Sequence, residues 1–251
     1  MTTFTRRALI AAALALAVVA VGLVPAQADS AGDTLAARER FFGAANVDSS
    51  GNVRDDRVIL SWFSVSSYAA SFNGHVVLLD AWIARGSYSD YVPTTTEELI
   101  ALAPEYIFVG HGDFDHAADL GEVASGTGAT IVGSPEHCDS AKEQSGDDSI
   151  KCLEVVPAGA PPGIRKELDL LPGVGISVVS HIHSAVESYE NDRTPCPPVW
   201  NPQDTVNNPP SPEDIEHVTK WNTPRGVNLL YQFRVGRFSL TWHDTTGKIE
   251  E

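Results

Sequence analysis

Just after Gly110 the chain crowds two imidazoles and two carboxylates, His111, Asp113, Asp115 and His116, into six residues. Left alone, such groups are poor neighbours: the carboxylates repel each other and the imidazoles take up protons to compensate. A hard or borderline divalent cation relieves both problems, so metal ligation is the chemistry these residue types suit. The competing explanation is a solvated acidic loop in which Asp115 or His116 merely caps the next helix, a common role at that position. His181 and His183 stand two residues apart, which on a strand puts both rings on one side.

The cluster needs elements to hold it. Tyr106-Ile107-Phe108-Val109 is short, apolar and β-rich, predicting a buried strand that empties into the loop. Before it, Val58 to Phe63 reads as a strand, and Asn73-Gly74 turns into a second one over His75 to Asp80. Thr94-Thr95-Thr96-Glu97-Glu98 opens a helix with a hydroxyl cap and early acids, closed by Pro104. After the cluster a helix is expected from His116 to about Ala124, stopped by Gly126-Thr127-Gly128, then a strand over Ala129 to Val132. The stretch from Cys138 to Cys152 reads as a Gly/Ser/Asp-rich loop whose two cysteines could pair. Val174 to His183 alternates as a strand, residues 188–211 form a proline-rich irregular insertion, and Ser211-Pro212-Glu213-Asp214 starts a helix to about Trp221. Trp200 and Trp221 either line a pocket or simply pack. Asn228 to Arg234 and Arg237 to His243 form a closing hairpin.

Arg6 and Arg7, the apolar run Ala8 to Leu23 and the Ala26-Gln27-Ala28 pattern together read as a secretory signal peptide over residues 1–28. The run is short for a bilayer span, so no stable membrane anchor is expected after cleavage, and a secreted or periplasmic address follows. Residues 29–56 are polar and small, a flexible lead-in containing one helical candidate, and residues 57–251 form the folded domain. The whole chain carries a formal charge of −16, and −18 once the two signal-peptide arginines are gone. A surface of that sign repels nucleic acid and anionic lipid, which leaves small-molecule substrates and metal cations as partners.

His111-Gly112-Asp113-Phe114-Asp115-His116, preceded by a hydrophobic strand and a glycine, resembles the His-x-His-x-Asp-His signature of the metallo-β-lactamase superfamily. Leu78-Leu79-Asp80 looks like that family's second strand with its aspartate, His183 resembles its third histidine, and Asp244 in Thr241 to Gly247 resembles its bridging aspartate. The resemblance spans roughly residues 57–247. It implies an α/β fold, the αβ/βα four-layer sandwich, incomplete at the C-terminus. It also implies a first ion on His111, Asp113 and His183, with His181 as the alternative to His183, and a second on Asp115 and His116 with Asp244 between the two. Asp115 would orient the attacking water, and Asp80 would order the loop rather than ligate.

Two departures bear on the cofactor. Asp113 occupies a place where histidine is usual, which hardens the first site and admits iron or manganese beside zinc. No histidine follows Asp244, so the family's last ligand to the second ion has no counterpart before Glu251. The function implied is an exported hydrolase using one or two divalent ions and a metal-bound hydroxide on a small-molecule ester, lactone, amide or phosphoester. The alternatives are a non-catalytic exported metal-binding protein of the same fold and a di-iron oxidoreductase.

Overall fold

The computed structural model describes residues 30–83, 94–184 and 226–245. Among the described residues, ten strands form two sheets. The first has six strands in the order β1 (Val58–Ser64), β2 (Ser67–Phe72), β3 (His75–Leu79), β4 (Tyr106–Phe108), β5 (Thr130–Gly133) and β6 (Cys152–Glu154). Its first three strands are antiparallel, while β3 to β6 run parallel. The second is antiparallel, with β7 (Arg165–Leu171), β8 (Val174–His181), β9 (Asn228–Val235) and β10 (Phe238–Trp242) in the spatial order β10-β9-β8-β7. Five described α-helices accompany them: α1 (Ser30–Phe42), α2 (Thr96–Ala101), α3 (Phe114–Ala117), α4 (Leu120–Thr127) and α5 (Pro135–Ser145).

Strand alternation decides the layers. In β3, Val76 and Leu78 face the helices and share a core with Leu99, Leu120, Val123 and Ala141. Val77 and Leu79 point the other way, into the space between the sheets, with Phe108, Ile176, Leu229 and Phe233. A period of two therefore feeds two cores from one strand. Aromatic rings fill the middle of the intersheet core, Phe72 stacking on Phe233 at 4.5 Å and Phe108 meeting Phe233 edge-on at 5.0 Å between centroids. The outer face of the second sheet is ionic: Arg234 donates to Ser177 Oγ at 2.7 Å and to Glu167 Oε2 at 2.9 Å. This layering, two sheets face to face with helices outside, matches the αβ/βα sandwich expected from the sequence. The described helices all pack on the first sheet; the helix expected from Ser211 lies outside the described residues, as do the signal peptide, the insertion at 188–211 and Cys196.

Three local readings change. The strand β2 went unread because its Ser and Ala content masks the pattern, although the Asn73-Gly74 turn after it shows positive φ at both residues, 54° and 83°, as a tight hairpin turn requires. The supposed loop after Cys138 is largely the helix α5, started by Ser134 with Pro135 in its first turn and stopped by Gly146 at φ 66°. Residues 30–56 are not merely a lead-in, since α1 sends Ala37 and Phe42 into the helix-side core and Val53 joins them. Arg38 ties that segment down by donating to the Leu102 carbonyl at 3.0 Å and the Gly51 carbonyl at 2.9 Å.

Candidate metal centre

Strand ends from both sheets converge at one edge, where the carboxyl ends of parallel strands usually build sites in α/β sheets. Asp80 follows β3, His111 to His116 follow β4, His183 follows β8 and Asp244 follows β10. Backbone bonds lock these turns together. Asp80 N–H donates to the Phe108 carbonyl at 2.8 Å, Ala81 N–H to the His116 carbonyl at 2.9 Å, and Leu229 N–H to the Gly110 carbonyl at 2.7 Å. Ser184 N–H donates to Thr245 Oγ1 at 3.0 Å, which fastens the His183 turn to the Asp244 turn.

Asp80 is the keystone of the loop. Its φ is 58°, a left-handed conformation that aspartate tolerates better than most residues. Its Oδ1 accepts from Gly110 N–H at 2.9 Å and its Oδ2 lies 2.7 Å from His116 Nδ1. Full burial pushes its carboxyl up to about 6, against the opposing pull of His116. Gly110 is glycine for a steric reason: a Cβ there would sit 2.0 Å from Asp244 Oδ2.

Two ligand groups emerge among the described residues: His111 with Asp113 and His183, and His111 with His116 and Asp244. In the first, Asp113 Oδ2 lies 3.6 Å from His111 Nε2 and 3.6 Å from His183 Nε2. His111 Nε2 is buried and has no hydrogen-bond partner. In the second, Asp244 Oδ2 contacts His111 Nδ1 closely and lies 3.8 Å from His116 Nδ1. The imidazoles crowd as well, with the His111 ring 3.9 Å from that of His116 and 4.9 Å from that of His183.

The electrostatics of this edge call for a cation. Burial works against a charged His111, yet the Asp244 and Asp113 carboxylates flanking it prevail and hold the ring well above the ordinary histidine value. Burial alone would raise the Asp244 carboxyl, but His111 and His116 outweigh it and keep the group below the usual carboxylate range. Two His/Asp groups with a buried, unpartnered ring nitrogen between them suit a divalent ion.

The expected residues do not all converge. His111, Asp113, His116, His183 and Asp244 do. Asp115 lies in the first turn of α3, its side chain 35% exposed and its Oδ2 3.8 Å from His116 Nε2, and it belongs to neither group. The capping alternative is not what the structure shows either, because the residue at the helix start is Asp113 and its side chain makes no cap bond. His181 is outside both groups as well; its Nδ1 donates to the Ile182 carbonyl at 2.7 Å, and burial pulls the ring down to about 4. Between His183 and His181, the geometry brings His183 to the centre.

Sequence reasoning gave no role to Ser66, whose Oγ lies 3.1 Å from His116 Nδ1. Its own carbonyl accepts from Trp242 Nε1 at 3.0 Å, linking the β1–β2 turn to β10. Beside it opens a cavity of about 240 Å³ lined by Leu60, Tyr68, Leu79, Leu240, Trp242 and His243. The only sequence signal for Ser66 was its place between two strands, which is no signal of chemistry. His137, expected to be structural, is buried in α5 and accepts from Ser134 N–H at 3.1 Å.

No protein-family profile matches the chain. Weak sequence similarity links it to curated metal-dependent hydrolases. One from Pyrobaculum arsenaticum is 31% identical over 77 residues, 31% of this chain and 32% of that protein. Another, from Staphylococcus aureus, is 29% identical over 132 residues, 53% of this chain and 51% of that protein. The chain thus matches between about a third and a half of the length of these relatives. Among solved structures, a metallo hydrolase of Ignicoccus hospitalis superposes with a TM-score of 0.44 at 16% identity, covering 74% of this chain and 60% of that one. A possible metal-dependent hydrolase of Veillonella parvula gives a TM-score of 0.44 at 11% identity, covering 75% and 63%.

Proposed function

We propose that this chain is an exported metal-dependent hydrolase acting on a small-molecule ester, lactone, amide or phosphoester. The observation that carries the reading is the convergence of His111, Asp113 and His183 around a buried ring nitrogen that nothing else satisfies. A divalent ion bound there would polarise a carbonyl or phosphoryl oxygen and make water acidic near neutral pH. The rest is the work of the protein's own groups. His111, Asp113 and His183 hold the ion, while Asp80 and Asp244 fix the orientation of His116 and His111. Asp115, half out of the site and beside His116, is placed to meet solvent water rather than to ligate. The cavity between Leu60, Tyr68 and Trp242 would receive the apolar part of a substrate.

The disulfide between Cys138 and Cys152, joining α5 to β6, supports the exported address, since such bonds persist outside the reducing cytosol. Zinc is the first metal to test, with iron or manganese admitted by the carboxylate Asp113. The experiment is elemental analysis of the purified chain with turnover on a panel of lactones, esters and phosphodiesters. Bound metal with turnover that chelation abolishes and metal restores is the expected result; metal-free protein after zinc loading overturns it. The exposure of Asp115 favours a second reading, a non-catalytic metal-binding protein, which metal uptake without turnover on any substrate would establish.

A further inference from the structure

From the way the imidazole protons are committed, we infer that Asp244 is a positioning residue for His111, not a ligand bridging two ions, and that the centre holds one ion tightly. The inference rests on the metal-binding reading above. A neutral imidazole has one lone pair and one N–H, so His111 can offer a cation only one of its two nitrogens. Its Nε2 faces Asp113 and His183; its Nδ1 faces Asp244.

The two assignments have different consequences. If Nδ1 bore the lone pair, an ion there would need His116 Nδ1 and Asp244 as its other donors. But His116 Nδ1 lies 2.7 Å from Asp80 Oδ2 and 3.1 Å from Ser66 Oγ, so it is already engaged. The His111 Nε2 proton would meanwhile be buried with Asp113 Oδ2 at 3.6 Å, too far for a hydrogen bond. If instead Nδ1 carries the proton, it donates to Asp244, and the buried Nε2 lone pair is left for an ion shared with Asp113 and His183. Both nitrogens of His111 and Asp244 Oδ2 are then used, while Asp244 Oδ1 stays buried without a hydrogen-bond partner. The carboxylate behind the ring fixes its tautomer and raises its basicity, the usual work of a carboxylate behind a metal-bound histidine.

Among the described residues the remaining donors give only a weak second place. With its Nδ1 committed to Asp80, His116 has Nε2 to offer, and Asp115 Oδ2 is 3.8 Å from that nitrogen on a side chain 35% exposed. One buried imidazole paired with a partly exposed carboxylate competes poorly with three converging donors.

The test uses the full chain with zinc as probe, comparing wild type, Asp244→Asn and Asp244→Ala, with circular dichroism to confirm folding. Zinc stoichiometry is read by elemental analysis after dialysis, affinity by competition with a chromogenic chelator, and the His111 tautomer by two-bond ¹H–¹⁵N correlation. The expected result is one tightly held ion in wild type, the His111 proton on Nδ1, and about 10–100-fold weaker zinc binding in Asp244→Ala at unchanged stoichiometry. Asp244→Asn, whose amide oxygen still accepts from Nδ1–H, should recover most of that loss, so the inference remains testable if the alanine variant does not fold. Two tightly held ions in wild type falling to one in Asp244→Asn would overturn it, as would zinc affinity indifferent to both substitutions. A wild-type chain that takes up no zinc would instead overturn the metal reading itself, and this inference with it.

Discussion

Asp80 Oδ2 and His116 Nδ1 meet at 2.7 Å with both side chains buried, and the other Asp80 oxygen receives Gly110 N–H. One carboxylate thus clamps both ends of the ligand loop from beneath. Removing it leaves a buried imidazole and a buried amide without their acceptor, and breaking such a pair costs about 3–5 kcal/mol. Asp80→Ala should therefore lower the unfolding free energy read from urea titration by about that much. Asp80→Asn should lose less, because asparagine accepts one of the two bonds and tolerates the φ of 58°. Equal losses for the two variants would show that the clamp is not what holds the loop.

Gly110 and Asp244 make a second close relationship. A methyl at residue 110 would lie 2.0 Å from Asp244 Oδ2 and 2.2 Å from its Cγ, and Asp244 is buried too tightly to step aside. Gly110→Ala should destabilise the fold by about 1–3 kcal/mol, the usual range for overpacking. It should also weaken zinc binding, since the displaced carboxylate is the one behind His111. Unfolding curves and chelator competition on the same preparation read both effects; a stable variant with full affinity would mean that the Asp244 turn yields freely.

The positions of these residues in the chain explain how much could be read beforehand. His111 to His116 was legible because ligand types were dense and followed a strand of obvious character. The two-sheet architecture was expected from the family resemblance of that loop and its flanking strands, not from alternation, since β3 and the first half of β9 are buried at nearly every residue. The helix α5 was missed because Asp, Ser and Gly around the cysteines outweighed Ser134-Pro135-Glu136, a sound start signal. Ser66 and the contact between Asp244 and Gly110 were illegible for a different reason. They depend on residues 50 apart in the first case and 134 apart in the second, and no local pattern encodes such a meeting.

The bond between Cys138 and Cys152 closes a loop of sequence separation 14 around the end of α5. Constraining a loop of that size in the unfolded chain stabilises the folded state by about 3 kcal/mol. Thermal unfolding with and without reductant, and of Cys138→Ala/Cys152→Ala, should show a lower midpoint in both perturbed cases. An unchanged midpoint would mean the bond adds nothing to the fold.

Glu167 offers a pH signature far from the metal centre. Hydrogen bonds from Ser177, Arg165 and Arg234 hold its carboxyl down to about 2, below the unfolded value near 4.5. A depressed folded value means that the contribution is complete above about pH 4.5 and is lost as the pH falls through about 2, where the folded form finally takes up its proton. Glu167→Gln should remove that part of the acid sensitivity and leave stability at pH 2 closest to wild type. The group is exposed, so the effect should be small and shrink in high salt. A constant difference between the two proteins from pH 7 to pH 2 would contradict the sign argued here.

Asp113 and Asp115 are two residues apart, yet the fold treats them oppositely. The side chain of the first is 2% exposed and faces both His111 and His183, whereas that of the second is 35% exposed and faces only His116. The cause is the short helix α3, which begins immediately after Asp113 and turns Asp115 outward. If ligation follows burial and convergence, Asp113→Ala and His183→Ala should abolish tight zinc uptake, whereas Asp115→Ala and His181→Ala should retain one ion per chain. Any effect of Asp115→Ala should then appear in turnover, through the handling of water near His116. Loss of the tightly held ion in Asp115→Ala, with retention in Asp113→Ala, would place the centre at Asp115 and not where the three converging side chains put it.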